Sequence, residues 1–344
     1  MKKLLLFSLL ILPLTLSAKI WIVDSNPGSA SKDFVNLQEA HDGASAGDTL
    51  YLIGSGVSYI SSKVTINKRL IIIGSGYFLN NPETQVSMLS AFMIQPSGCG
   101  DFIIDFVNGS QGSALIGVII RGRISISTNN ILIKRNLFED ENPIGVCGTP
   151  RITANGSNLL IVQNYFREGV NGRGVSVANG NSNIKITNNY IYSTDNRPIK
   201  APTSGVEINN NILSGGPEAS NAVIQNNIFV SNSGVESAIG SVIRHNMATF
   251  PGILLPAGDG NVSNVPQSSV FIGTGTIDGK WKLKDGSPAI GSGFEGVDMG
   301  MFGGDEPYML SGIPPIPTIY QLNAPAVGEK NTGLPITIKA KSNN

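Results

Sequence analysis

Three stretches of the chain concentrate charged side chains of the types that bind carboxylates. They are FEDENPIG, FREGVNGRG and STDNRPIK, which begin at Phe138, Phe166 and Ser193. A guanidinium can meet a carboxylate with two parallel hydrogen bonds, and a lysine offers a compact charge that can lose its proton when desolvated. The sequence therefore predicts a binding site for a ligand that carries carboxylates, in which acidic side chains orient the cations. Its residues are Arg167, Glu168, Arg173, Asp195, Arg197 and Lys200.

Two simpler interpretations of these charges stay open. Loops are where solvated charges usually lie, so the three stretches could merely keep the protein in solution. Glu139, Asp140 and Glu141 could instead ligate calcium, but calcium needs about six to eight oxygens and the sequence shows no recognisable ligand spacing. No cofactor is therefore expected, with calcium as the alternative, and the sequence identifies no catalytic residue.

The charged stretches follow copies of a repeated unit. NNILIKRNLF, SNLLIVQNYF and SNIKITNNYI each place alternating apolar residues before an asparagine and an aromatic or apolar residue, and three degraded copies follow. The repeated asparagines are Asn136, Asn164, Asn189, Asn211, Asn227 and Asn246. Their irregular spacing and the short apolar runs favour a solenoid of short strands joined by loops of variable length, as in a parallel β-helix.

The repeated asparagines have a structural explanation in such a fold. An asparagine tolerates the left-handed backbone of a sharp corner, and stacked amides on successive coils can pair along the solenoid axis. We therefore expect an asparagine stack rather than a set of ligands. Since strands of adjacent coils lie ~4.8 Å apart, the three charged loops would form one surface roughly 15 Å long beside the first strand of each coil.

The ends of the chain indicate export and capping. MKKLLLFSLLILPLTLSA has two lysines, an apolar run and small residues at its end, as in a secretory signal peptide over 1–18. In DFVNLQEAHDG, Phe34, Leu37 and Ala40 lie at helical spacing and predict a short cap helix over the first coil. We expect a secreted, periplasmic or cell-surface protein with an N-terminal strand and cap helix over 19–47 and a β-helix over 48–270.

After the β-helix, the sequence predicts a closing segment over 271–311 and a proline-rich linker with one terminal strand over 312–344. Prolines at 314, 315 and 317 force an extended linker, and LPITIKAKS alternates like a strand. This tail could wrap along the solenoid or contact the cell envelope. Export also makes a disulfide between Cys99 and Cys147 possible, and two buried free thiols are the alternative.

The 24 basic and 24 acidic residues balance, which argues against a nucleic-acid partner. The apolar run near the N-terminus is shorter than the ~20 residues that span a bilayer, and no other segment is long enough. We therefore expect no membrane span, and we expect a monomer.

Two segments resemble a known family. FVNLQEAHDGASAGDTLYLIGSGVSY followed by VTINKRLIIIGSG resembles the opening of secreted right-handed β-helix proteins of the pectin-lyase-like superfamily, and WKLKDGSPAIGSGFEGVDMGMFGG is similar to the closing segment of many bacterial secreted members. The resemblance implies an all-β fold, a single-stranded right-handed parallel β-helix with a short N-terminal cap helix and an extended C-terminal tail. It covers most of the chain after the signal peptide.

The resemblance implies much less about activity, because the superfamily includes lyases, hydrolases, esterases, tailspikes and adhesins. Its polygalacturonases carry Asn-Thr-Asp, Asp-Asp, Gly-His-Gly and Arg-Ile-Lys motifs. This chain has only STD ending at Asp195 and RIT at Arg151, so hydrolysis by that mechanism is not expected. The resemblance implies that the partner is a polysaccharide or a cell-surface glycan. We expect a secreted protein that binds, and could cleave, an extracellular polysaccharide, for example one that contains uronates, on the stacked-loop face. The alternative is a non-catalytic structural or adhesive surface protein.

Overall fold

The structure is a computed structural model. It describes residues 18–30, 32–80, 89–94, 102–139, 150–167, 172–194, 196–231, 238–252, 254–328, 331 and 333–342. Several residues singled out in the sequence lie outside these ranges, namely Cys99, Asp140, Glu141, Cys147, Glu168 and Asp195, together with residues 1–17 of the expected signal peptide.

Short strands account for most of the regular structure. In chain order they are β1 (Ile20–Val23), β2 (Thr49–Leu52), β3 (Val64–Ile66), β4 (Ile71–Ile73), β5 (Phe92–Ile94), β6 (Phe102–Phe106), β7 (Ala114–Ile116), β8 (Ile119–Arg121), β9 (Arg123–Ile126), β10 (Ile131–Lys134), β11 (Leu137–Phe138), β12 (Ile152–Ala154), β13 (Leu159–Val162), β14 (Tyr165–Phe166), β15 (Val175–Val177), β16 (Ile184–Thr187), β17 (Tyr190–Ile191), β18 (Ile199–Ala201), β19 (Val206–Asn209), β20 (Ile212–Leu213), β21 (Glu218–Ser220), β22 (Val223–Gln225), β23 (Ile228–Phe229), β24 (Ala238–Ile239), β25 (Val242–Arg244), β26 (Met247–Ala248), β27 (Thr318–Asn323) and β28 (Thr337–Lys341). The helices are α1 (Leu37–Gly43) and α2 (Gln267–Val270), with 3₁₀ turns at Gly279–Trp281, Phe294–Gly296 and Leu310–Gly312.

The strands form three long sheets in which every pair is parallel. Sheet A has the order β1-β2-β4-β7-β10-β13-β16-β19-β22-β25, sheet B the order β24-β21-β18-β15-β12-β9-β6-β3, and sheet C the order β26-β23-β20-β17-β14-β11-β8-β5. The chain visits sheets B, A and C in turn and then starts the next coil, as β9, β10 and β11 show. This confirms the predicted all-β parallel β-helix.

The core is built from columns of apolar side chains. Ile133, Ile161, Ile186 and Ile208 are paired in register on successive strands of sheet A, and each is fully buried. Burying one such side chain stabilises the fold by about 2 kcal/mol. The alternating apolar positions of the repeated unit are therefore the positions that face the interior.

The repeated asparagines form a continuous hydrogen-bonded ladder at the corner between sheets A and C. The backbone N–H and side-chain Nδ2 of Asn164 both donate to Asn189 Oδ1, at 2.8 and 3.0 Å, and Asn164 Nδ2 also donates to Ile133 O at 2.9 Å. The same contacts recur along Asn136, Asn164, Asn189, Asn211, Asn227 and Asn246. The ladder ends on Asn261, which accepts from Asn246 and was not identified in the sequence.

The expected left-handed backbone lies at a different residue. The ladder asparagines do not have positive φ; the residue before each of them does, with φ between 49° and 59°. These preceding residues are Arg135, Gln163, Asn188, Asn210, Asn226 and His245. The left-handed residue turns the chain, and the asparagine that follows is thereby aimed into the corner, where its amide satisfies backbone groups that the turn leaves without partners.

The cap helix is present where the sequence placed it. Asn36 is the N-cap of α1, with its side chain accepting from Glu39 N, and Leu37 and Ala40 are buried. Both apolar side chains join the core, with Phe34 packed against it. The helix thus covers the apolar end of the first coils.

The closing segment, residues 271–311, packs on the outer face of sheet C. The outward side chains Tyr165 and Tyr190 stack at 4.5 Å, and Trp281 lies 4.9 Å from the Tyr190 ring. Met299 and Met301 are fully buried in the same cluster. A second apolar core therefore lies outside the solenoid.

The left-handed corner residues also hold the closing segment. Asn188 Nδ2 donates to Met301 O and Gly303 O, at 3.0 and 2.6 Å, and Asn210 Nδ2 donates to Asp298 O at 2.9 Å. Gln163, Asn226 and His245 make similar contacts along the same line. The segment therefore runs along the corner in the direction opposite to the stacking of the coils.

The tail differs from the single terminal strand expected. Strands β27 and β28 pair as an antiparallel hairpin. Ile316 packs beside the outer face of sheet A, but Leu322 and Ile338 of the hairpin are 62% and 58% exposed. Wrapping along the solenoid, one of the two possibilities for the tail, is therefore seen at Ile316 of the linker and not at the hairpin. Within the described ranges, no helix has the length and hydropathy needed to cross a membrane.

Candidate functional site

A group of cations surrounds one carboxylate where the chain enters sheet B. Arg173 lies two residues before β15, Arg197 lies two residues before β18, Lys200 is on β18, and Glu218 opens β21. Because Val175 pairs with Ile199 and Lys200 pairs with Glu218, these elements bring the four side chains together from three successive coils. We call Arg173, Arg197, Lys200 and Glu218 the cationic edge.

Glu218 is the shared partner within the cationic edge. Arg173 Nη2 lies 2.6 Å from Glu218 Oε2, Arg197 Nη1 lies 4.0 Å from the same oxygen, and Lys200 Nζ lies 3.9 Å from Oε1. Three positive charges thus face one negative charge, which leaves the group with a net charge of +2. The Arg197 and Lys200 side chains are 56% and 37% exposed, so an anion can reach them from solvent.

Arg173 is the anchored member of the group. Its side chain is less exposed than those of Arg197 and Lys200, and its Nε is a buried donor without a hydrogen-bond partner. Its contact with Glu218 crosses the intervening coil, because β15 and β21 are separated by β18 in sheet B. This long-range contact fixes the guanidinium over the strand that carries Lys200.

Arg167 belongs to a neighbouring cluster. Arg167 Nη1 lies 2.9 Å from Glu139 Oε2, and Arg121 Nε lies 2.9 Å from Glu139 Oε1. Both oxygens of Glu139 are therefore occupied by guanidinium groups, which disfavours a calcium ion at this side chain. Among the residues that the structure describes, no three or more His, Cys, Asp and Glu side chains form a group that could hold a metal.

Two further arginines extend the basic row along sheet B. Arg123 and Arg151 occupy the same corner on the two preceding coils, because Ile124 pairs with Ile152 and Arg151 N donates to Arg173 O. Arg151 is buried, so it supports the row from beneath rather than offering itself to a ligand. The sequence does carry a signal for this row: an arginine stands at the start of a sheet B strand, or one or two residues before it, in RIS, RIT, RGV and RPI.

The structure thus brings together only part of the predicted site. Arg173, Arg197 and Lys200 converge, Arg167 lies in the adjacent cluster, and Glu168 and Asp195 fall outside the described residues. The carboxylate that organises the cations is Glu218, which the sequence analysis did not identify. The contacts supply donors for an anion and identify no catalytic residue.

Comparison with known proteins adds no assignment to this geometry. No protein-family model matches the chain, and no curated protein matches it. What the chain shows is its architecture: it is a parallel β-helix with a cationic edge on sheet B.

Proposed function

We propose that this protein is an exported member of the pectin-lyase-like superfamily that binds an acidic polysaccharide along the cationic edge. The observation that carries the proposal is the sharing of Glu218 by Arg173, Arg197 and Lys200. Hydrogen bonds to a charged partner contribute about 1.5 to 3 kcal/mol each, so a carboxylate placed between these cations would be held firmly.

The repeat of the solenoid suits a linear polymer. Cations on successive coils are spaced by the strand separation of ~4.8 Å, so a chain with regularly spaced carboxylates can meet several of them at once. Arginine also suits this role because its fork binds a carboxylate with two parallel hydrogen bonds. A polyuronate running along the edge would contact residues from at least three coils.

An adhesive surface protein is the second candidate. The exposed apolar side chains of the tail hairpin, among them Leu322 and Ile338, favour it. Apolar groups that stay uncovered on a folded chain commonly mark a surface that contacts another molecule. In that case the solenoid would act as a spacer and the cationic edge would only be solvated.

Affinity gel electrophoresis separates the two candidates. Mobility would be compared in gels containing polygalacturonate, alginate or a neutral polysaccharide, with absorbance of unsaturated products recorded in parallel. We expect retardation by at least one polyuronate that weakens as NaCl is raised, because salt screens exposed charges. Unsaturated products would add a lyase activity. Unchanged mobility in both polyuronate gels would reject the proposal in favour of the adhesive role.

A further inference from the structure

A groove of about 380 Å³ lies on a different face of the solenoid from the cationic edge. Its floor consists of outward side chains of β16, β19 and β22 in sheet A, including Thr187, Asn209 and Gln225. Its far wall is the closing segment, through Phe294 and Asp305. Sheet A and the closing segment therefore enclose a groove that shares no residue with the cationic edge.

The floor of the groove is a regular row of polar groups. Thr187 pairs with Asn209 and Asn209 pairs with Gln225, so a hydroxyl and two amides lie ~4.8 Å apart on successive coils. Gln225 Oε1 accepts from Arg244 Nε, but Asn209 Oδ1 is buried and has no hydrogen-bond partner. Because that oxygen is closed to solvent, a ligand in the groove would meet the Asn209 amide through Nδ2, which lies 3.5 Å from Glu207 Oε2 and can donate a hydrogen bond.

The walls are rich in acceptors as well. Glu207, Glu295, Asp305 and Glu306 line the groove, against the single lysine Lys185. Lys185 Nζ lies 3.3 Å from Glu207, so part of this charge is compensated. An anionic polymer would be repelled here, whereas a ligand with many hydroxyl donors would find acceptors on three sides.

The groove is preformed. Asn188 and Asn210, which line it, also hold the closing segment through its backbone carbonyls. The ring of Phe294 is covered by the guanidinium of Arg244, 3.5 Å from the ring centre. The wall is therefore fixed before any ligand arrives, and binding does not require the segment to become ordered.

We propose that this groove binds the hydroxyl groups of a neutral polysaccharide, with Asn209 Nδ2 donating to one of them and the wall carboxylates accepting from others. The inference is independent of the cationic edge, because the two sites use different sheets and opposite charge. One solenoid would then hold an acidic and a neutral polysaccharide at the same time.

The test uses Asn209→Leu and a matched control. Mature protein would be run in affinity gels containing β-glucan, xylan, galactomannan, chitosan or polygalacturonate. We expect at least one of the three neutral polysaccharides to retard the protein, and Asn209→Leu to weaken that interaction about tenfold, since a hydrogen bond from the floor of the groove to the ligand is lost. Asn155→Leu, which changes an exposed asparagine away from the groove, should bind like the wild type.

A second variant distinguishes a loss of binding from a folding defect. Asp305→Ala alters only the exposed wall and should also weaken binding of the neutral polysaccharide. Both variants should still be retarded by polygalacturonate. The proposal is overturned if no neutral polysaccharide binds, if chitosan alone binds, or if neither variant changes the affinity. A double variant that combines Arg173→Ala with Arg197→Ala would leave the groove intact. Its failure to bind polyuronate would therefore not bear on the proposal for the groove.

Discussion

The cationic edge and the groove show how one solenoid can present two different chemistries. Both are rows of outward side chains repeated once per coil, one on sheet B and one on sheet A. The edge has three cations around Glu218 and lies open to solvent, whereas the groove has amides and carboxylates and a second wall. The spacing comes from the backbone and is the same in both rows. The ligand class is therefore set by which side chains occupy the outward positions, and not by the fold.

The largest effect is expected from removing two arginines of the edge. Changing Arg173 and Arg197 together to Ala should weaken polyuronate binding by about 100-fold or more, because two charge-assisted hydrogen bonds are lost. Neutral-polysaccharide binding should be unchanged, since neither residue lines the groove. Affinity electrophoresis with both gels measures the two effects, and circular dichroism checks the fold. Equal binding of polyuronate by the double variant would place the site elsewhere.

The second effect concerns the stability of the solenoid that carries both rows. Asn164→Leu removes a side chain that accepts from Asn136 and donates to Ile133 O and Asn189. Leaving these buried groups without partners should lower the free energy of unfolding by about 2 kcal/mol. Urea unfolding measures it, with the exposed Asn155→Leu as control. Equal midpoints for the two variants would contradict a stabilising role for the ladder.

The ladder also shows what a sequence can and cannot predict in this fold. Each coil must place an amide at the same buried corner, so the asparagine recurs and can be recognised by eye. The left-handed residue before it was not recognised, because Arg135, Gln163 and His245 share a backbone angle and not a side-chain type. An angle that several residue types can adopt leaves no repeated letter in the sequence.

Glu218 was missed for a different reason. Predicting that it meets Arg173 requires the register of strands two coils apart, and the loops between coils vary in length. Charges within one loop could be predicted as neighbours, but contacts between loops could not. The hairpin of the tail is not evident from the sequence, because β27 directly follows prolines that predict an extended linker.

Alkaline pH should act on the closing segment through two buried phenols. The hydroxyl oxygens of Tyr77 and Tyr308 lie 2.8 Å apart and share a hydrogen bond at one end of the closing segment. The Tyr308 hydroxyl also donates to Asp278 Oδ2. Burial raises the pKa of both phenols well above the usual value of 10. Since the folded pKa exceeds the unfolded one, their contribution to stability is complete below about pH 10 and is lost as the pH rises further.

This loss can be measured in thermal melts at pH 8 to 12. Above about pH 10 each buried phenol should lower the free energy of unfolding by about 1.4 kcal/mol per pH unit until its folded pKa is reached. Tyr308→Phe should be less stable than the wild type at pH 8, because a hydrogen bond to Asp278 is lost, but should lose stability less steeply at high pH. The same slope in both proteins would mean that these phenols do not control the alkaline transition.

The smallest effect should come from Glu218→Gln. The amide keeps the shape and can still accept from Arg173, but it removes the negative charge that the three cations share. If a polyuronate competes with Glu218 for those cations, its affinity should rise about threefold at low salt, and the gain should vanish in 1 M NaCl. Glu207→Gln, which alters the Lys185 pair on the other face, is the matched control and should leave polyuronate binding unchanged. Weaker polyuronate binding by Glu218→Gln would instead mean that Glu218 positions the arginines, so that the bound carboxylate sits beside it rather than in its place.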